Sequence, residues 1–174
     1  MSRTTLFELC EAFYALRPNH DDSGPGTQLR LRTEVLAGTW EALLSGQADL
    51  ALGVVLNTAP PPMGIEVAPL GEVLFVYVMA PHHPLAALPD PLGDDLLIQH
   101  RAIAVADSAR LHTPHTVNLL PGQDVLTVPT LHAKLEAQLR GLGCGFLPEP
   151  MARAHIEAGR LVVKSLKRGE HKPQ

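Results

Sequence analysis

The stretch from Thr27 to Gly53, TQLRLRTEVLAGTWEALLSGQADLALG, constrains the fold more than any other part of the chain. Leu29, Leu31, Thr33 and Val35 alternate with Arg30, Arg32 and Glu34, the pattern of a strand with one face on a core. Leu36-Ala37-Gly38 ends it. Thr39 then stands where an N-cap would, Trp40, Leu43 and Leu44 form an apolar stripe, and Gly46 is the left-handed stop of a short helix. The run Ala48 to Val55 is almost continuously apolar, as a parallel strand covered on both faces requires. Strand, short helix and buried strand make a βαβ crossover, so an α/β fold is expected.

Length and composition restrict the function. A chain of 174 residues can bury one core or two small lobes. With 45% hydrophobic and 18% charged residues it has the composition of an ordinary globular domain. The net charge of -4 argues against a surface that holds DNA, because salt-dependent affinity for phosphates needs clustered Lys and Arg. Cys10 and Cys144 lie far apart in apolar contexts and are expected as buried thiols of a reducing compartment. No apolar run of about 18 residues and no signal-peptide core is present, which points to the cytoplasm.

Elsewhere the chain reads as short alternating elements. Thr5 is expected to cap a first helix whose Leu6, Leu9, Cys10, Phe13 and Leu16 would pack on a sheet. Asn19 to Gly26 is a polar loop rich in Gly and Pro, and Pro60-Pro61-Pro62 marks another. Strands are expected over Val73–Ala80, Ala102–Ala106, Val125–Val128, Cys144–Leu147 and Leu161–Val163, and helices over Leu131–Arg140 and Glu149–Ala158.

No pattern of a known catalytic motif is present. His112 and His115 have a two-residue gap but no third ligand, and Asp94-Asp95 stands where a helix starts. Gly141-Leu142-Gly143-Cys144-Gly145 lies between a helix end and a strand, the reverse of the strand-to-helix order of a dinucleotide loop, and is read as a C-cap and turn. No cofactor and no metal site is expected.

Five segments share a further feature, their order. Glu34, Gly38, Leu43, Gly46, Ala48, Asp49, Leu50 and Gly53 come first, followed by Pro69-Leu70 and the Pro81-His82-His83-Pro84-Leu85-Ala86 segment. Ala137, Gly141, Gly143 and Phe146-Leu147-Pro148 come next, and Gly159-Arg160-Leu161-Val162 last. Over nearly the whole chain these resemble the effector-binding domain of LysR-type transcriptional regulators. The resemblance implies a two-lobed, type II periplasmic-binding-protein-like α/β fold, with lobe I over 1–78 plus 160–174 and lobe II over 79–159. It also implies that the first lobe is incomplete, that DNA is reached only through a helix-turn-helix domain outside this sequence, and that the full-length protein is a homodimer or tetramer. Arg30, Arg32 and the first helix are candidates for its dimer surface.

In open α/β sheets ligands sit beyond the carboxyl ends of parallel strands, where loops and helix N-termini present amides. The residues placed there, and where the resemblance puts the effector, are Thr4, Thr5, Thr33, Glu34, Leu36, Gly53, Val54, Asp107, Ser108, Thr130, Leu131 and Phe146. Tyr77, Val78, Met79, Leu161 and Val162 are the expected hinge. The function implied is effector sensing, not catalysis. The alternatives are a prephenate dehydratase-like enzyme, which would need a reactive constellation, and a free-standing solute-binding protein, which would need an export signal.

Overall fold

The computed structural model of the chain describes residues 3–16, 27–54, 61–111 and 117–168. Its contacts divide the chain into a short unit, Met1–Thr33, and a larger one, Glu34–Gln174. The short unit carries helix α1, Arg3–Ala15. The larger unit carries, in order, α2 (Ala37–Leu44), β1 (Phe75–Met79), a 3-10 turn (Pro84–Ala87), α3 (Asp94–Leu97), β2 (Ala102–Val105), β3 (Val125–Val128), α4 (Leu131–Leu139), β4 (Gly145–Pro148), α5 (Glu149–Glu157) and β5 (Val162–Lys164).

β1, Phe-Val-Tyr-Val-Met, is built of β-branched and aromatic residues and lies between β4 and β5, antiparallel to both. β2 and β3 pair in parallel. The two groups join where Ala102 bridges Cys144: Ile103 N–H donates to the Cys144 carbonyl at 2.9 Å and Cys144 N–H to that of Arg101 at 3.0 Å. The strand order is therefore β3-β2-β4-β1-β5, with β1 running against the rest. Alternation along β1 and β4 sends Tyr77, Met79 and Phe146 into one apolar layer with Leu85, Leu92 and Leu97, and sends Val78 and Leu147 into another with Ala152 and Leu161. Each fully buried Leu or Met of these layers contributes about 1.5–3 kcal/mol. Helix α4 packs on β1 to β4, and α5 on β4 and β1.

The glycine-rich turn acts as expected. Gly141 takes φ 73°, its N–H donates to Gln138 O at 3.0 Å, and Leu142 N–H donates to Ala137 O at 3.0 Å, which stops α4 and turns the chain into β4.

Three expectations are corrected. Residues 27–35 and 48–54 are not strands. A strand needs ladder partners and a covered face; among the described residues neither segment pairs with a strand, and Leu31 and Leu50 are 49% and 73% exposed. The βαβ crossover expected over 27–55 is thus reduced to its helix. Helix α1 starts at Arg3, so Thr4 and Thr5 lie within it rather than before it, and Thr5 is not its cap. Among the described residues of its own unit there is no strand on which α1 could pack, and Phe7, Leu9 and Phe13 are exposed. The loop Asn19 to Gly26, Pro60, and His112 and His115 lie outside the described residues.

Candidate functional site

Helix α2 begins in an unusual way. Leu36, its N-cap, has φ 50° and ψ -122°, values that favour glycine, and no side chain of its own neighbourhood caps the helix. Gly38 N–H donates to Val35 O at 3.1 Å, closing a tight turn with Leu36 at the strained position. Such strain costs about 1–3 kcal/mol and persists only where surrounding contacts hold it. Thr39, expected as the cap, lies instead inside the first turn.

The cap comes from the loop after β2. Ala37 N–H donates to Asp107 Oδ2 at 3.3 Å and Gly38 N–H to Asp107 Oδ1 at 3.1 Å, while the same Oδ1 accepts from Ala109 N–H at 2.9 Å. A carboxylate at this end of a helix is favoured by the free amides and by the helix dipole. Ser108 pairs with the main chain of Val35: its Oγ accepts from Val35 N–H at 2.8 Å, and its N–H donates to Val35 O at 3.3 Å. From the helix side, the buried Glu41 accepts from Arg110 N–H and Leu111 N–H, each at 3.0 Å. Gly38 is buried against Ser108, and a Cβ there would collide with Ser108 Oγ and Ala109 N.

Of the residues expected to form a ligand site, Leu36, Asp107 and Ser108 therefore meet at one junction, and Glu34 precedes Val35 in it. Gly53 is exposed and Val54 half-buried, and neither shares a hydrogen bond with the junction. Thr130 is the cap of α4: its Oγ1 accepts from Ala133 N–H at 3.1 Å. Leu131, the first residue of that helix, packs against the second apolar layer. Phe146 is only 9% exposed and meets Tyr77 edge to face at 5.0 Å, so its ring belongs to the core rather than to an open face. Thr4, Thr5 and Thr33 lie in the short unit. The expected hinge segments are neighbours, with Val78 opposite Val163, Met79 opposite Val162, and Leu161 buried beside them. Sequence reasoning missed Ala109, which bonds Asp107 within its own loop, and Glu41, Arg110 and Leu111, whose partners lie about 70 residues away. Only the Asp-Ser pair after a strand signalled this junction.

A second polar cluster lies in the core. Tyr77 Oη donates to Cys144 Sγ at 2.9 Å. Burial pushes the Tyr77 phenol and the Cys144 thiol above their ordinary values. Lys134 of α4 lies over Gly145, and desolvation lowers its ammonium to about 8. Among the described residues no three metal-binding side chains come together, and no helix is long and apolar enough to cross a membrane.

A mixed α/β sheet, with β1 running against its neighbours and a helix N-terminus meeting the loop beyond β2, is the arrangement of a binding module of the periplasmic-binding-protein kind. The comparisons with known proteins agree. The model of the LysR substrate binding domain matches residues 4–172, and the chain belongs to that family, whose fold is the type II periplasmic-binding-protein-like one. The transcriptional activator AllS of Klebsiella pneumoniae is 39% identical over 143 residues, which make up 82% of this chain and 53% of AllS. Among solved structures, a probable transcriptional regulator from Pseudomonas aeruginosa superposes on 99% of this chain and 57% of its own, with TM-score 0.61 and 22% identity. The full-length regulator LysG from Corynebacterium glutamicum with bound effector Arg covers 86% of this chain and 49% of its own, with TM-score 0.54 and 26% identity. The chain spans about half the length of the curated relatives it matches.

Proposed function

We propose that this chain is the effector-sensing region of a LysR-type transcriptional regulator of the cytoplasm, a binding module and not an enzyme. It reaches DNA only through a helix-turn-helix domain outside this sequence, and it works as a homodimer or tetramer. Lobe I comprises 1–78 plus 160–174 and lobe II 79–159, with Tyr77, Val78, Met79, Leu161 and Val162 as the hinge. A small polar metabolite, of the size of the arginine that LysG holds, binds between the lobes among Leu36, Asp107, Ser108 and Thr130. A ligand that prefers one lobe angle shifts the population toward it, and the attached DNA-binding domains respond.

The observation that carries this reading is the junction of α2 with residues 107–111, because it ties a helix start in one proposed lobe to a strand-end loop in the other. The test is a thermal-shift screen of the 174-residue chain against amino acids and small organic acids, followed by calorimetry and by a promoter reporter in the full-length protein. One compound should bind one to one, stabilise the chain by about 2.7 kcal/mol at a hundredfold excess over its dissociation constant, and change reporter output. Turnover of the compound by the chain, or a reporter indifferent to every binder, would overturn the proposal.

A further inference from the structure

The two sides of the junction do the same thing to each other. Asp107 leaves the loop after β2 to accept the amides of Ala37 and Gly38, and Glu41 leaves α2 to accept the amides of Arg110 and Leu111. Between them Ser108 meets both main-chain polar groups of Val35, as one residue of a ladder would. The two carboxylates thus cross in opposite directions, each onto a pair of main-chain donors. Charge-assisted bonds of this kind are the stronger ones, and each needs the other side held in place. The fit is also steric: Gly38 lets the loop lie against α2 where any side chain would collide with Ser108. Leu36, held at positive φ one residue before α2, is the strained element that such contacts have to restrain.

We propose that residues 107–111 form a strap latched onto α2 by this reciprocal exchange of carboxylates, and that its release is the local motion by which the binding cleft opens. The amides of Ala37 and Gly38 are occupied by Asp107 in the latched state. An effector group that needs those donors has to exchange places with the Asp107 carboxylate, and in doing so frees the strap. The latch itself follows from the junction alone; only this consequence rests on the effector-sensing reading.

Hydrogen exchange on the 174-residue chain without any effector tests the latch. Asp107→Ala and Glu41→Gln should each speed exchange about tenfold or more at Ala37, Gly38, Arg110 and Leu111 together, including the amides bonded to the carboxylate left intact. The amides of β1 and β4 should keep their protection. The double variant should exchange no faster than the faster single variant. Should Asp107→Ala lose protection in the sheet as well, Asp107→Asn and Gly38→Ala decide the matter, the first keeping an acceptor and the second displacing the strap with both carboxylates intact. Gly38→Ala should speed exchange on both sides, and Asp107→Asn should do so less than alanine. Variants that accelerate only the amides they bond directly, or none, would overturn the latch while leaving effector sensing standing. A screen that yields no binder would do the reverse.

Discussion

Tyr77 and Cys144 share a hydrogen bond of 2.9 Å inside the apolar layer between β1 and β4, and the thiol is the weaker member. The two deletions are therefore unequal. Tyr77→Phe removes a buried hydroxyl together with its need for a partner, and should cost about 1 kcal/mol or less. Cys144→Ala strands the hydroxyl and leaves a small cavity, for a loss of about 2–3 kcal/mol. Urea unfolding of both variants should show that order, and equal losses would mean that the bond contributes nothing.

Lys134 gives the chain a pH dependence of known sign. Its folded pKa, about 8, lies below the ordinary 10.5, so the unfolded chain holds the proton more tightly. Below pH 8 the desolvation cost is fully present; as pH rises from about 8 toward 10.5 the folded ammonium deprotonates first and stability increases, by about 3 kcal/mol at most. The Cys144 thiol acts the other way, since its raised pKa removes stability above its ordinary 9.0. The increase is therefore clearest between pH 8 and 9. Lys134→Met should be more stable than the parent at pH 7 and should lose that rise in melts run across the interval.

Thr130 caps α4 through Ala133 N–H at 3.1 Å. Thr130→Ala should lower stability by about 1 kcal/mol, and Thr130→Ser should restore most of it. If alanine lowers the melting point but leaves the reporter dose-response of a full-length protein unchanged, Thr130 is a cap and nothing more.

Leu36 sits at φ 50°, half-buried, at the turn into α2. Leu36→Gly loses apolar contact and gains freedom in the unfolded chain, each unfavourable, but removes strain of about 1–3 kcal/mol. The terms nearly cancel, so the melting point should hardly move. Leu36→Val keeps an apolar group and adds β-branching at positive φ, so it should destabilise by about 1–2 kcal/mol. A valine as stable as the parent would show that the turn carries no strain.

The part of the fold readable in the sequence is the part whose signals are local. Val125–Val128 and the helix after it were legible because a β-branched run, a Thr cap and a Gly stop all lie within a few residues of the elements they define. The alternation of Leu29, Leu31 and Thr33 was just as regular, yet it made no strand, because alternation records a face to be covered and not the neighbour that covers it. The site divides in the same way. Asp107 and Ser108 were legible as polar residues after a strand, whereas Glu41 reads as an ordinary helix surface residue and is buried by amides contributed from Arg110 and Leu111. Phe146 was placed correctly on its strand and assigned to a ligand face, because a strand pattern does not say which of its two faces meets the ring of Tyr77.

The carboxylates on both sides of the junction, Asp107 of the strap and Glu41 of α2, accept from backbone donors. Arg110 and Leu111 offer their amides to Glu41 while their side chains stand exposed, and Ala37 gives Asp107 an amide alone. The contact is therefore written in two acidic positions, one glycine and one serine, and the intervening side chains are free to drift under other pressures, proline excepted because it brings no amide. Surface identity at the strap can change from one homologous protein to another while the fastening beneath it stays the same.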